Sequence, residues 1–194
     1  DQMGNPSYKI DEESAWDYII FDENIRNICQ LLDSVCYGTL VQRNSNSKRA
    51  LIKILDSIPI NCLKVFDVNF RQEFHNKEII KLSLEQADIV KMNQLEFYQI
   101  VDMLCISQKW EKGALSLIQE FNLKLVIITL GEKGSIMATK KDYIIHTPYN
   151  KINILSTVGA GDAYTASVVM GWLNQKPLNE IILEATNLAS HVCG

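Results

Sequence analysis

The stretch LKLVIITL, residues 123–130, decides the fold, because it is the most apolar strand that the sequence predicts. A helical pattern of apolar residues that begins after Ser107 precedes this strand, and a turn with Gly131 and Gly134 follows it. A helix, an apolar strand and a glycine turn in this order indicate one repeating unit of an α/β protein.

The same alternation extends along the chain in both directions from this strand. Strands are predicted at 7–10, 35–40, 62–67 and 87–92, and as a hairpin at 135–138 and 143–146. Helices are predicted at 22–33 with Asp22 as N-cap, from Ser47 to the residue before Pro59 with Ser47 as N-cap, at 78–85, at 95–104, from Ser107 as N-cap to Phe121, at 161–173 and at 178–192. Strands that alternate with helices predict an α/β domain with a mainly parallel sheet, helices on both faces and a short hairpin near residues 135–147.

Composition and charge exclude several classes of protein. The 194 residues are 47% hydrophobic and 22% charged, which is ordinary for a globular protein and unlike a disordered chain. The formal net charge of −4 argues against a nucleic-acid partner bound through a broad basic face. No apolar run approaches the roughly 20 residues that cross a bilayer, the first residues show no secretion signal, and the five cysteines lack a paired spacing. We therefore expect a cytoplasmic protein without membrane or nucleic-acid partners.

Polar or glycine residues follow every strand of the predicted parallel sheet. They are Gly38, Asp67, Asn69, Asn93, Glu96, Thr129, Gly131 and Gly134. Ligands of open α/β sheets bind outside the carboxyl ends of the strands, and a purely structural sheet would not need polar groups at each of these ends. The pattern therefore predicts a ligand cleft.

The stretch Val158-Gly159-Ala160-Gly161-Asp162 directly precedes an apolar helix. Small residues at a helix start leave backbone N–H groups bare, which favours an anion such as phosphate. A tight turn with Asp162 as a favourable first-turn carboxylate explains the same residues equally well. The stretch is neither a Rossmann fingerprint, since position 164 is tyrosine, nor a Walker A loop, since no Gly-Lys-Ser/Thr follows.

Four ordered motifs resemble those of the PfkB/ribokinase family of carbohydrate kinases. Residues 156–163 (STVGAGDA) resemble the family's D-T-x-G-A-G-D signature, and residues 129–135 (TLGEKGS) resemble its T-x-G-x-x-G stretch. Residues 91–96 (KMNQLE) resemble its N-x-x-E motif, and residues 67–71 (DVNFR) resemble the D-x-N-x-R of fructokinase-like members. The resemblance implies a ribokinase-like fold. It also implies that residues 1–194 are a single domain that is incomplete at both ends, with residues 1–10 as a remnant of the lid region.

The resemblance further implies a role for each matching residue. Asp162 would be the catalytic base, and Gly159, Ala160 and Gly161 would form the anion hole. Asn93 and Glu96 would organise Mg²⁺ through water, and the ATP site would comprise these two residues with Thr129, Gly131, Gly134 and Asn187. Asp67, Asn69 and Arg71 would join Asp162 on the sugar side. The implied reaction is ATP-dependent phosphorylation of a ketose such as fructose, with Mg²⁺ and, in some members, a monovalent cation. A homodimer is a further expectation, because an uncovered sheet edge would pair with a second copy.

Several alternatives stay open at this level. Asn93 and Glu96 match a helix N-cap with its N3 carboxylate, the 129–135 stretch matches a strand-to-hairpin turn, and Arg71 matches a solvated surface charge. Ser156 stands where the family usually has aspartate, which is consistent with a non-catalytic nucleotide- or sugar-binding module. As a kinase, the protein could instead act on 2-keto-3-deoxygluconate, ribose or a nucleoside.

Overall fold

A computed structural model describes residues 10–146 and 156–194. The strands are β1 (Ser34–Tyr37), β2 (Leu63–Asp67), β3 (Ile89–Asn93), β4 (Leu125–Thr129), β5 (Ser135–Ala138) and β6 (Tyr143–His146). The helices are α1 (Glu23–Cys29), α2 (Ser45–Ser57), α3 (Lys77–Gln86), α4 (Gln94–Met103), α5 (Trp110–Phe121), α6 (Ala160–Leu173) and α7 (Leu178–Cys193).

The six strands form one sheet in the order β1-β2-β3-β4-β5-β6. β1 to β4 pair in parallel, and β5 and β6 add to β4 as an antiparallel hairpin. The predicted mainly parallel sheet with a hairpin is therefore confirmed. Within the described ranges, no helix has the length and apolar character needed to cross a membrane.

Alternate strand residues feed two hydrophobic cores, one on each face of the sheet. Phe66, Val90 and Ile128 face the core that α2 to α5 cover. Ile89 and Ile127 face the core that α6 and α7 cover. This alternation explains why the central strands read as continuous apolar runs, since both faces of the sheet are buried.

Three predicted helix boundaries are wrong. Asn44, not Ser47, caps α2, because the Ser47 hydroxyl accepts the backbone N–H of Ile19 at 3.0 Å. Ser107 does not cap α5, which has Lys109 as its N-cap. The helix predicted at 22–33 begins after its expected cap Asp22 but ends at Cys29.

The first strand is also shorter than predicted. β1 ends at Tyr37, because the chain leaves the extended conformation at Thr39 and enters a short 3₁₀ helix at Leu40–Arg43. Gly38 lies close to the backbone of β2, since a Cβ on it would be 2.9 Å from the carbonyl oxygen of Asp67. The strand predicted at 7–10 and the expected lid remnant at 1–10 fall outside the described residues, apart from Ile10.

Candidate active site

The carboxyl ends of the parallel strands meet at one edge of the sheet, and the first turn of α6 lies against this edge. The Thr165 hydroxyl of α6 is 2.8 Å from the Asp67 carboxylate at the end of β2. Asp162 and the Gly159–Gly161 turn belong to the same first turn of α6. The fold thus brings the glycine turn and Asp67 together although about 95 residues separate them in sequence.

The α6 N-terminus presents free backbone donors. Gly159 is the N-cap and adopts a left-handed conformation with φ 84°, which glycine accepts without strain. The N–H of Ala160 donates to the Thr157 carbonyl at 3.3 Å, whereas the N–H groups of Gly161 and Asp162 have no acceptor among the described residues. These two amides and the helix dipole create a positive potential that suits an anionic group.

Ser156 and the end of α7 shape this turn. The Ser156 hydroxyl accepts the N–H of Val158 at 3.2 Å, and the Ser156 N–H donates to the Cys193 carbonyl at 3.3 Å. The Val192 side chain lies 3.7 Å from the position that a Cβ on Gly159 would occupy. The residue that departs from the family signature therefore holds the turn by uncharged hydrogen bonds.

A buried ion pair that the sequence analysis missed lies beneath the α6 N-terminus. Lys91 Nζ is 3.1 Å from both carboxylate oxygens of Asp67, and both side chains are largely buried. The sequence did contain a signal for Lys91, because a lysine in the apolar strand β3 departs from the pattern of its neighbours Ile89, Val90 and Met92. A lysine in a buried strand needs a partner, and here the neighbouring strand supplies it.

Asp162 is exposed on the first turn of α6, and its charge reaches the same cluster. The pKa of the Cys36 thiol is raised to about 11, chiefly because the surrounding protein removes water from it and also because the Asp67 carboxylate lies nearby. Lys91 opposes this shift, and Asp162 adds a smaller increase in the Cys36 pKa. Asp67, Lys91 and Asp162 therefore all lie close enough to Cys36 to act on its thiol electrostatically.

Asn93 and Glu96 form a capping box at the start of α4. The Asn93 Oδ1 accepts the Glu96 N–H at 2.9 Å, and Glu96 Oε2 accepts the Asn93 N–H at 2.7 Å. The other oxygen of Glu96 accepts the N–H of Phe70 at 2.9 Å, which ties the loop after β2 to α4. Asn93 and Glu96 therefore have the geometry of a helix N-cap and its N3 carboxylate, as the capping interpretation of the sequence predicted.

The donor set at this position suits Mg²⁺ only through water. In the described part of the chain, no three His, Cys, Asp or Glu side chains come together as a ready-made metal site. Carboxylate and amide oxygens are hard ligands that Mg²⁺ accepts, and Mg²⁺ commonly retains several waters. Both oxygens of Glu96 already hold backbone donors, so their remaining lone pairs fit a hydrated ion better than direct coordination.

The turn after β4 is closed by a backbone hydrogen bond, and no atom of the described residues covers its first glycine, Gly131. Gly131 has φ 62° and Gly134 has φ 92°, and Leu130 N–H donates to the Gly134 carbonyl at 2.8 Å. A Cβ on Gly131 would meet no atom within 4 Å. Thr129, at the end of β4, pairs with Asn93 in the sheet register, so this turn lies beside the start of α4.

Three further predicted site residues are exposed. Asn69 and Arg71 lie in the loop after β2, directly beyond Asp67, and Asn69 has a positive φ of 41°. Asn187 lies on α7, whose C-terminal end borders the glycine turn.

The chain is similar to sugar kinases in sequence. The model of the pfkB family carbohydrate kinases matches residues 12–194. The uncharacterized sugar kinase PH1459 of Pyrococcus horikoshii is 28% identical over 182 residues, which cover 90% of this chain and 54% of that protein. The 5-dehydro-2-deoxygluconokinase of Clostridium botulinum is 28% identical over 188 residues, which cover 90% of this chain and 53% of that protein. The chain therefore spans about half the length of the curated relatives it matches.

Solved structures share the fold. The PH1459 complex with ATP matches with a TM-score of 0.75 and 26% identity, and the match covers 98% of this chain and 60% of that one. The nucleoside kinase of Methanocaldococcus jannaschii, a member of the ribokinase family, matches with a TM-score of 0.67 and 21% identity, and the match covers 83% of this chain and 49% of that one. The predicted ribokinase-like fold is confirmed, and the chain belongs to the pfkB family of carbohydrate kinases.

Proposed function

We propose that this chain carries the phosphoryl-transfer site of an ATP-dependent sugar kinase. The observation that supports the proposal most strongly is the α6 N-terminus, where the N–H groups of Gly161 and Asp162 have no protein acceptor among the described residues. These groups lie at the carboxyl edge of a parallel sheet, where α/β proteins bind ligands. The similarity to PH1459, which was solved with ATP, supports the choice of nucleotide.

In this proposal, Asp162 accepts the proton and the glycine turn stabilises the transferring phosphoryl group. The hydroxyl proton of the sugar passes to the Asp162 carboxylate, the hydroxyl oxygen bonds to the γ-phosphorus, and the bond from phosphorus to the β–γ bridging oxygen breaks, so that ADP leaves. At the Gly159–Gly161 turn, the free N–H of Gly161 stabilises negative charge on the transferring group. The N–H of Ala160 would join it after leaving the Thr157 carbonyl. Phosphoryl transfer depends mainly on such positioning and charge stabilisation.

The nucleotide and its metal occupy the neighbouring strand ends in this proposal. Mg²⁺, held through water near Asn93 and Glu96, would neutralise phosphate charge. The open space at Gly131 lets a bound group approach the backbone of the turn, with Thr129 and Gly134 on either side. Asn187 on α7 would line the adenine pocket.

The acceptor is a ketose such as fructose, because residues 67–71 resemble the D-x-N-x-R of fructokinase-like members. Asn69 and Arg71 are exposed beyond Asp67 and are free to contact a sugar. The similarity to the Clostridium enzyme keeps keto-deoxy sugar acids, such as 2-keto-3-deoxygluconate, as competing acceptors. Ribose and nucleosides are further competitors. A reducing cytoplasm is consistent with the cysteines, all five of which are free thiols.

The test is a coupled assay of ADP release against a panel of these acceptors, with ATP binding measured by calorimetry. We expect wild type to release ADP with at least one acceptor. We expect D162N to lower kcat by orders of magnitude while the KM values for ATP and sugar change little, since the amide cannot accept the proton. D142N, at an exposed Asp in the β5–β6 turn, is the control and should retain wild-type kcat.

Each other outcome contradicts part of the proposal. Near-normal turnover of D162N removes Asp162 from the role of base. ATP binding without turnover on any acceptor supports instead a non-catalytic binding module, the alternative that Ser156 raises.

A further inference from the structure

The pairing register places Asp67 and Lys91 side by side on one face of the sheet. Asp67 of β2 is the register partner of Lys91 of β3. Each lies two residues after a residue of the core beneath α6 and α7, Val65 in β2 and Ile89 in β3, and therefore on the same face of the sheet. Each side chain is only 11% exposed. A buried pair of this kind survives only when both charges are satisfied, so the geometry of both side chains is tightly constrained.

Thr165 connects this pair to the first turn of α6. Its hydroxyl oxygen is 2.8 Å from Asp67 Oδ2 and 3.0 Å from the carbonyl oxygen of Gly161, one helical turn earlier. The single hydroxyl hydrogen is shared between these two acceptors, and Thr165 is itself buried. Asp67 is therefore bonded both to the neighbouring strand and to the helix that carries Asp162.

The Lys91 side chain extends from β3 to the same turn of α6. A Cβ on Gly161 would lie 3.1 Å from Lys91 Nζ, so the ammonium group packs against the backbone at this glycine. Lys91 also neutralises Asp67, whose unpaired charge would oppose an anion at the α6 N-terminus. The ammonium has three N–H donors, and its described partners are the two oxygens of one carboxylate.

We propose that Asp67, Lys91 and Thr165 form a positioning network that fixes the first turn of α6, and with it Asp162 and the Gly159–Gly161 turn, over the carboxyl edge of the sheet. Asp67 then acts on the reaction through α6 and not by contact with the sugar. The link to catalysis rests on the proposed function, whereas the anchoring of α6 does not.

Thr186 provides a matched control for Thr165. Both threonines are 6% exposed in the middle of a helix, and both place the hydroxyl near a carbonyl oxygen one turn earlier, that of Gly161 for Thr165 and that of Ile182 for Thr186. Thr165 alone bonds to the Asp67–Lys91 pair. The Thr186 hydroxyl also bonds to the Tyr164 side chain of α6, so T186V removes a local and a tertiary hydrogen bond. T165V likewise removes a local and a tertiary bond, but its tertiary bond is the one to Asp67.

The experiment compares T165V, T165A, T165S and T186V in steady-state kinetics and in amide hydrogen exchange at residues 163–166, the first amides that donate within α6. We expect T165V and T165A to lower kcat on the order of 10²-fold with little change in KM for ATP, because small displacements of reacting groups cost about this much. T165S and T186V should retain kcat. Exchange at residues 163–166, whose N–H groups donate within α6, should be faster in T165V than in T186V.

Equal loss of kcat in T165V and T186V overturns the inference, because the effect then follows general stability. Unchanged exchange at residues 163–166 in T165V and T165A also overturns it. If wild type transfers no phosphoryl group at all, the proposed function fails, and the exchange comparison alone decides whether the network anchors α6.

Discussion

Glu96 holds two separate parts of the site together. Its carboxylate accepts the N–H of Asn93 at the start of α4 and the N–H of Phe70 in the loop after β2. Glu96 is only 7% exposed, so water cannot easily replace it as the acceptor. A water-mediated contact with Mg²⁺ would use the lone pairs that these two bonds leave free.

We expect E96Q to lower the free energy of unfolding by about 1–3 kcal/mol, since glutamine leaves a largely buried backbone donor without its acceptor. Urea denaturation measures this change. E85Q is the control, because Glu85 is a half-exposed helix residue whose Lys81 partner is 4.0 Å away. Loss of this ion pair should lower the free energy of unfolding by less than about 1 kcal/mol. Equal effects of the two substitutions would contradict the anchoring role of Glu96.

The sequence identified most residues at this edge but not how they are connected. Asp67, Asn93 and Glu96 could be found because they follow apolar strands at positions where ligands usually bind. Lys91 and Thr165 could not be assigned, because the burial of Lys91 depends on its register with Asp67 and the bond of Thr165 spans 98 residues. Local pattern carries no information about either pairing.

At the scale of elements, the turn between β4 and β5 closes the hairpin through two glycines. The N–H of Leu130 donates to the Gly134 carbonyl, and the N–H of Gly134 donates to the Gly131 carbonyl at 3.0 Å. Gly134 has φ 92° and ψ −136°, near a backbone region that essentially only glycine occupies. Gly131 has φ 62°, which other residues reach at a smaller cost.

We expect G134A to lower the free energy of unfolding by about 1–3 kcal/mol, because alanine is strained at this backbone conformation. G131A should cost about 1–2 kcal/mol and less than G134A, since its Cβ enters open space and only the positive φ opposes it. Urea denaturation of both variants checks the order. A larger loss in G131A would show that the φ and ψ values of this turn do not control its stability.

Element boundaries were predictable where the determinants are local. The hairpin strands Ser135–Ala138 and Tyr143–His146 were predicted without error, because two apolar runs flank the polar residues 140–142. The cap of α2 was not, because the Ser47 hydroxyl bonds to Ile19, 28 residues away, and Asn44 serves as cap instead. Tertiary contacts that redirect a polar side chain have no signature in the local sequence.

At the scale of the whole molecule, one sheet separates two cores, and strands β2 to β6 contribute to both. Ile127 and Ile128 are consecutive in β4, yet Ile127 belongs to the core under α6 and α7 and Ile128 to the core under α2 to α5. Loss of packing on one face therefore disturbs strands that the other face needs. The two cores should unfold together although they share no helix.

Two tryptophans report on the cores separately, since Trp110 packs against the core under α2 to α5 and Trp172 against the core under α6 and α7. In W16F/W172F and W16F/W110F backgrounds, we expect the urea transitions of the two probes to coincide. I182A, which removes a buried side chain of the α6–α7 core, should lower the free energy of unfolding by about 2–5 kcal/mol at both probes. L183A truncates the half-exposed neighbour of Ile182 and should cost less than about 1 kcal/mol. A shift of the Trp172 transition alone in I182A would show that the two faces of the sheet unfold independently. The stability of α6 and α7 would then not depend on the helices of the opposite face.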